Sequence, residues 1–268
     1  RKGRLLFGSY DAFMRATGNY VDSKGIDAMG VLRAFQRVSK ERPPWDTDYG
    51  TLRTWAGDLC PELGPEMLAG HGNDLPAEIA IQKLKNFSIA FREQIPYYNS
   101  ACDECGKDGQ FSGIVRATEQ ERSLVAEVKE IYFCSECDKV TVFPRFRSLV
   151  PILERRRGRC GEYTQLMMEL LPSLGLPSRM IDDHTGHVWV EGQVAGSRWI
   201  HFDPCEAAVD EPFIYARNWG RTPKHVLAYQ LSSGEESEGA WQLGNVTAVD
   251  VTERYRPPEA EPLPSAVQ

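Results

Sequence analysis

Two Cys-x-x-Cys pairs, Cys102-Asp-Glu-Cys105 and Cys134-Ser-Glu-Cys137, constrain this chain more than any other feature. Thiolates spaced i, i+3 fit knuckle turns, and two such turns close a tetrahedron around one metal ion. A set of four thiolate ligands leaves no open coordination position, so the predicted ion is a structural Zn²⁺ that staples a small lobe at about residues 100–140. Two disulfides, unligated buried thiols or an iron–sulfur cluster are the alternatives. The spacing is that of a metal site, and no secretion signal accompanies it, so a reducing compartment is expected. Three cysteines remain, Cys60, Cys160 and Cys205, each needing its own explanation.

The formal charge is −7 and the basic residues are spread rather than blocked, which removes the electrostatic footprint of a nucleic-acid binder. No run approaches the roughly 20 apolar residues that span a bilayer, so no membrane insertion is expected. The chain starts without Met or a charged-then-apolar signal and reads as a soluble fragment or excised core. Its 268 residues, 41% apolar, suffice for one large domain or two smaller ones.

Apolar spacing divides the chain. Leu32, Phe35 and Val38 have helical spacing before a break at Pro43-Pro44, and residues 1–76 read as a helical N-terminal region. Ile79, Ile81, Leu84, Phe87, Ile89 and Phe91 predict a helix from Ala77, ended by Pro96. A strand-like run ends at Ile131-Tyr132-Phe133, between the cysteine pairs. From Gly161, the set Tyr163, Leu166, Met167, Leu170 and Leu171 predicts a second helix up to Pro172. Short strands follow at Arg179–Ile181, His187–Glu191 and Trp199–Asp203. Residues 77–256 form the expected catalytic core, and the Pro- and Glu-rich tail 257–268 is expected to be disordered.

Cys160 follows Arg155-Arg156-Arg157-Gly158-Arg159 and precedes the second helix, so positive side chains and a helix N-terminus both favour its thiolate. The alternative is a structural thiol at a helix start. His187, Trp189 and Glu191 share one strand face, and Trp199, His201 and Asp203 another. A hairpin turn containing Gly192, Gly196 and Ser197 that pairs Glu191 with Trp199 also pairs His187 with Asp203, with Cβ atoms about 4.5–5.5 Å apart. Asp203 would then fix the imidazole tautomer while the other ring nitrogen takes the thiol proton. A one-residue slip would break the arrangement. His201 competes as a neighbouring or substrate contact, and His184 reads as a solvated loop residue.

Gly158-Arg159-Cys160-Gly161-Glu162, His187-Val188-Trp189 and Asp203-Pro204-Cys205-Glu206 resemble the three catalytic motifs of the cytosolic peptide:N-glycanases, which also carry two upstream Cys-x-x-Cys pairs. Phe143-Pro144-Arg145, Asn218-Trp219-Gly220 with Tyr229, and Asp250 to Tyr255 extend the resemblance over about residues 77–256. It implies an α+β fold: a transglutaminase-like (papain-like) cysteine-enzyme core with a small four-cysteine zinc lobe and a helical N-terminal region. The implied activity is removal of N-glycans, of high-mannose type, from misfolded glycoproteins by a Cys160, His187 and Asp203 triad, with no cofactor beyond structural zinc. Glu206 and Trp219 are implied sugar contacts, and Trp189 and Tyr98 complete the candidate substrate-binding set. The location implied is cytoplasmic, with the nucleus as a second compartment, and the N-terminal region is implied to dock a proteasome shuttle protein.

Three segments depart from the family pattern. Tyr97 and Tyr98 stand where a tryptophan near the first knuckle helps stabilise the oxyanion, and either phenol can substitute as a donor. Tyr163 replaces a tryptophan, and Pro172 falls in a helix that normally continues. A related protease or transglutaminase activity on another amide, and a non-catalytic glycoprotein-binding scaffold, are the rival readings; the intact triad argues against the scaffold.

Overall fold

A computed structural model describes residues 5–7, 48–183, 185–231, 241–243 and 246–258. The spacing at Leu32, Phe35 and Val38, the Pro43-Pro44 break, His184 and the tail beyond Pro258 lie outside the described residues.

Helix α1 (Tyr49–Leu59) starts where the Asp48 carboxylate accepts the Thr51 N–H, and α2 (Gly64–Leu68) follows a short 3-10 turn. The predicted long helix is α3 (Ala77–Gln94). Its buried face, Ala80, Ile81, Leu84, Phe87 and Phe91, continues into one hydrophobic cluster with Leu52, Ala56 and Met67 from α1 and α2. Residues 49–94 therefore pack as part of the same core as the strands that follow.

Strands β1 (Leu5–Phe7), β2 (Gln110–Arg116), β3 (Ala126–Cys134) and β4 (Lys139–Phe146) form an antiparallel sheet in chain order. β1 thus adds a strand to a region read as helical. Helix α4 (Glu119–Ser123) lies between β2 and β3, and α5 (Leu149–Arg155) leads into α6 (Cys160–Ser173). Helix α6 carries Pro172 inside its last turn instead of ending before it. A proline has no N–H to offer the carbonyl four residues back. That carbonyl, on Met168, accepts the Ser178 hydroxyl at 3.1 Å, which lets the helix run one residue further.

The second sheet has seven strands in the order β10-β11-β9-β5-β6-β7-β8, with β5 Ser178–Asp182, β6 Val188–Val194, β7 Arg198–Asp203, β8 Ala208–Val209, β9 Leu227–Leu231, β10 Trp241–Leu243 and β11 Val246–Asp250. Val190, Val194, Ile200 and Phe202 face the helical cluster, and Trp189 and Ile181 face a smaller cluster with Tyr215, Val226 and Tyr255. Both faces of the central strands are buried, which is why they read as nearly continuous apolar runs.

The predicted hairpin is present in a different register. Glu191 pairs with His201 and Gln193 with Trp199, a shift of two positions from the expected Glu191–Trp199 pairing. The turn consists of Ala195, Gly196 and Ser197, with Ala195 and Gly196 at positive φ and Ser197 N–H donating to the Val194 carbonyl at 3.3 Å. Gly192 is a strand residue instead of a turn residue. A Cβ there would meet Leu171 Cδ1 at 3.3 Å, so glycine serves the close approach of β6 to α6.

Candidate active site

Cys160 is the first residue of α6, half-buried against the helical core. The turn before it is held from several sides. Tyr98 N–H donates to the Gly158 carbonyl at 2.8 Å, and Gly158 N–H donates to the Tyr163 hydroxyl at 3.1 Å. A side chain at position 158 would lie 2.7 Å from Tyr163 Cε1, which excludes anything larger than glycine. Tyr163 is fully buried, with its hydroxyl toward the Ile95 and Pro96 carbonyls, so it anchors the segment that brings α3 to the site.

A buried ionic cluster links the four-stranded sheet to the start of α6. Glu130 of β3, with no exposed surface, accepts from Arg145 at 2.8 Å and Arg159 at 3.0 Å, and also from Tyr132. Arg145 in turn grips Glu162 at 2.6 Å, and Glu162 accepts the Arg159 N–H at 3.1 Å. Carboxylates and guanidinium groups alternate, so each buried charge has an opposite neighbour. Arg145 belongs to the Phe143-Pro144-Arg145 motif, and this gives that motif a physical task.

His187 lies just ahead of β6, and its Nε2 is 2.7 Å from Asp203 Oδ2 at the end of β7. With Nε2 so engaged, Nδ1 is the ring nitrogen left for Cys160. Burial of the imidazole would lower its pKa, but the hydrogen bond and charge of Asp203, followed by those of Cys160, outweigh burial and raise it to about 10. Burial would raise the carboxyl of Asp203, yet the hydrogen bond and charge of His187, then His201 and Tyr215, hold it below its ordinary range. The constellation is a buried imidazolium–carboxylate pair facing a helix-start thiol. Asp183 fixes the approach to it, accepting the Thr185 and His187 N–H groups at 2.9 and 3.0 Å and pairing with Arg221.

Glu206 is half-buried, and Trp219 is 40% exposed with its ring 4.8 Å from His187, so both border the imidazole on its accessible side. Burial, then the charge of Asp203, raises the Glu206 carboxyl above its ordinary range, against His187 and a hydrogen bond with Trp219. Two of the expected substrate contacts are largely covered in this structure. Trp189 has no exposed surface: it packs 5.4 Å under His187 and donates Nε1–H to the Tyr255 hydroxyl at 2.9 Å, which itself reaches Glu191 at 2.8 Å. Tyr98 is 5% exposed and stacked 4.2 Å from Phe143 in an aromatic cluster with Tyr132. Its neighbour Tyr97 is half-buried and feels the charge of Cys160, so the phenol beside the thiol is Tyr97. Alternating directions along an extended segment send adjacent tyrosines to different sides. Cys60 and Cys205 are both buried in the helical core cluster, as expected of packing thiols.

The four knuckle cysteines are brought together. Their sulfurs lie within 4.8 Å of one another, with 3.6 Å between Cys102 and Cys137 and 3.5 Å between Cys105 and Cys134. A tetrahedron with metal–sulfur bonds of about 2.3 Å has edges of about 3.8 Å, so the set fits one metal ion. The second pair sits at the β3–β4 hairpin tip, where Cys134 pairs with Lys139, and the first closes on Gly106 N–H to the Cys102 carbonyl at 2.9 Å.

A helix-start thiol facing a paired imidazole and carboxylate on neighbouring strand ends defines a transglutaminase-like arrangement. Residues 110–204 match the transglutaminase-like superfamily, so this part of the chain carries a transglutaminase-like domain. The chain is similar to proteins named peptide-N(4)-(N-acetyl-beta-glucosaminyl)asparagine amidase. The one from Candida glabrata is 31% identical over 215 residues, covering 75% of this chain and 57% of that protein. The one from Oryza sativa is 36% identical over 141 residues (52% of this chain, 31% of that protein), and the one from Caenorhabditis elegans 37% over 153 (57% and 23%). The chain therefore spans only part of the length of these relatives.

Proposed function

We propose that the chain hydrolyses the side-chain amide of glycosylated asparagine, releasing the N-glycan and leaving aspartate. The observation that carries this reading is His187 held between Cys160 and Asp203. Cys160 attacks the amide carbon and His187 delivers its proton to the departing glycosylamine, which breaks the carbon–nitrogen bond. The resulting thioester is hydrolysed by water, whose proton returns to His187 as Cys160 leaves. Asp203 orients the imidazole throughout. Tyr97, which feels the charge of Cys160, is the candidate donor to the oxyanion, and Glu206 and Trp219, beside His187, are the candidate contacts to the first sugars, the carboxylate through hydroxyls and the indole through a ring face. The relatives named as amidases favour this substrate over glutamine or peptide amides.

The wider reading is that misfolded N-glycoproteins with high-mannose-type glycans are the substrates, in the cytoplasm and nucleus, with the N-terminal region docking a proteasome shuttle protein. The boundaries that go with it are a helical region at 1–76, a catalytic core at 77–256 with its lobe at about 100–140, and a tail at 257–268. Among the described residues no helix is long and apolar enough to cross a membrane. The assay is incubation of a denatured glycoprotein with the protein, scored for free oligosaccharide and for aspartate at the former glycosylation site. Both products are expected. A folded, metal-loaded protein that yields neither removes the amidase reading in favour of another amide or a scaffold.

The four thiolates are assigned to one structural zinc, which cross-links the lobe when bound. One zinc per chain is the expected stoichiometry. Chelation is expected to abolish hydrogen-exchange protection at residues 101–109 first, because apart from the metal this turn is tied to the β3–β4 hairpin by little more than the Asp103 N–H donated to the Thr141 hydroxyl at 3.0 Å. Equal protection with and without chelator would remove the structural role.

A further inference from the structure

Tyr215 and His201 are buried polar side chains behind Asp203 that take no part in the amide chemistry, yet a chain of hydrogen bonds runs from both to the carboxylate. Asp203 Oδ2 meets His187 Nε2 at 2.7 Å and the Tyr215 hydroxyl at 2.9 Å, and Oδ1 accepts Cys205 N–H at 2.8 Å. The Tyr215 oxygen also lies 2.9 Å from His201 Nε2. Donor inventory fixes where the protons are. A carboxylate only accepts and a phenol carries one hydrogen, so Tyr215 donates to Asp203 and accepts from His201, which is therefore the Nε2–H tautomer. Burial lowers the His201 pKa to about 4, leaving it neutral, and burial with the charge of Asp203 keeps the Tyr215 phenol protonated.

His201 Nδ1 is then a buried lone pair with no partner among the described residues. An orphaned interior polar atom calls for a reason. An apolar side chain at position 201 would avoid the penalty, and the one thing it would lack is the Nε2–H that turns the Tyr215 hydroxyl toward Asp203.

We propose that Tyr215 is a positioning residue for the thiol–imidazole pair, its hydroxyl aimed by His201 and holding Asp203 ionised and turned to His187. The helix that carries it, α7 (Ile214–Trp219), also carries Trp219 one turn on, with the two rings 5.2 Å apart. One short element thus serves both the carboxylate and the exposed rim of the site. The titratable and charged groups facing His187 and Asp203 are Cys160 from α6, His201, Cys205 and Glu206 from β7 and the turn after it, and Tyr215 from α7, with Arg254 acting on His201.

The effect on turnover rests on the amidase reading, whereas alkylation of Cys160 by iodoacetamide reads the thiol–imidazole pair without any glycan. Tyr215→Phe keeps the ring packed 4.7 Å from Trp189 and removes only the hydroxyl. The pH midpoint of Cys160 alkylation, followed by mass on the Cys160 peptide, is expected to rise by about one unit, a roughly tenfold slower reaction below the midpoint. His201→Leu is expected to move it the same way, and His201→Gln, which keeps an N–H donor, to restore it. A folded Tyr215→Phe with the wild-type midpoint overturns the proposal. If that variant does not fold, identical profiles for the two His201 variants overturn it instead. Shifted alkylation together with a wild type that releases no glycan would sink the amidase reading and leave the positioning role standing.

Discussion

Cys160→Ala is expected to release no glycan from a denatured glycoprotein, and Asp203→Asn to retain only about 10⁻⁴ of the wild-type turnover, the size of loss seen when a triad aspartate becomes an amide. Alanine offers nothing with which to form the thioester, so no slower version of that route remains. Asparagine keeps the shape of Asp203 but not its charge, and its NH2 can face His187 Nε2, which selects the wrong tautomer. Tyr215 and Cys205 N–H then both point hydrogens at a group that no longer accepts from all three. Stability changes with a definite pH signature. His187 is raised from 6.5 to about 10 in the fold, so its contribution is fully present below 6.5 and is lost as pH rises through 10. Asp203 is lowered from 3.8, so its contribution is present above 3.8 and is lost as pH falls through its depressed folded value. Both operate together between 3.8 and 6.5, where wild type should exceed Asp203→Asn by the largest margin, a few kcal/mol on the scale of a broken buried pair. Denaturant midpoints across this range measure it. A difference that grows toward alkaline pH would contradict the ion pair.

The register of β6 and β7 shows how His187 and Asp203 can meet although the expected pairing is off by two positions. Side chains alternate with period two, so the two-position shift moves partners along the strands but keeps each residue on its face. His187 and Asp203 stay on one side, and the loop before β6 covers the remaining offset. The burial of Trp189 was not legible for the related reason that strand alternation says which face a residue takes but not whether that face is open; Tyr255, over sixty positions on, closes it. Tyr97 and Tyr98 were equivalent as letters and separate only once Phe143 takes one of them into its stack. The helix-start cysteine, α3 and the knuckles were legible because local spacing determines them. Tyr215 was not, although a tyrosine four positions before the noted Trp219 shares its helix face, a signal that could have drawn attention to it.

Least legible was Glu130, one of two glutamates in β3, and its removal is expected to have the largest effect on stability. Glu130→Ala leaves Arg145 and Arg159 without the carboxylate between them, at 2.8 and 3.0 Å in the wild type, in a site where the acid has no solvent exposure. Breaking a buried pair from one side costs about 3–5 kcal/mol, because the partner charges remain buried. At about 2–4 °C per kcal/mol for a chain of this size, the thermal midpoint should fall on the order of 10 °C. Arg157→Ala, which removes the exposed 2.6 Å pair with Asp103, is the control and should cost less than about 1 kcal/mol. Glu130→Ala should also slow Cys160, since Arg159 stands immediately before the nucleophile and Glu162, gripped by Arg145, accepts the Arg159 N–H. A destabilisation no larger than that of Arg157→Ala would mean that water or the remaining partners, Glu162 and Tyr132, satisfy both guanidinium groups. Combining Glu130→Ala with Arg145→Met decides the origin of the cost: if stranded charge is the cause, the double variant is more stable than the sum of the two singles predicts. Strict additivity would assign the loss to packing instead, and the link between the lobe sheet and the nucleophile helix would then be steric rather than ionic.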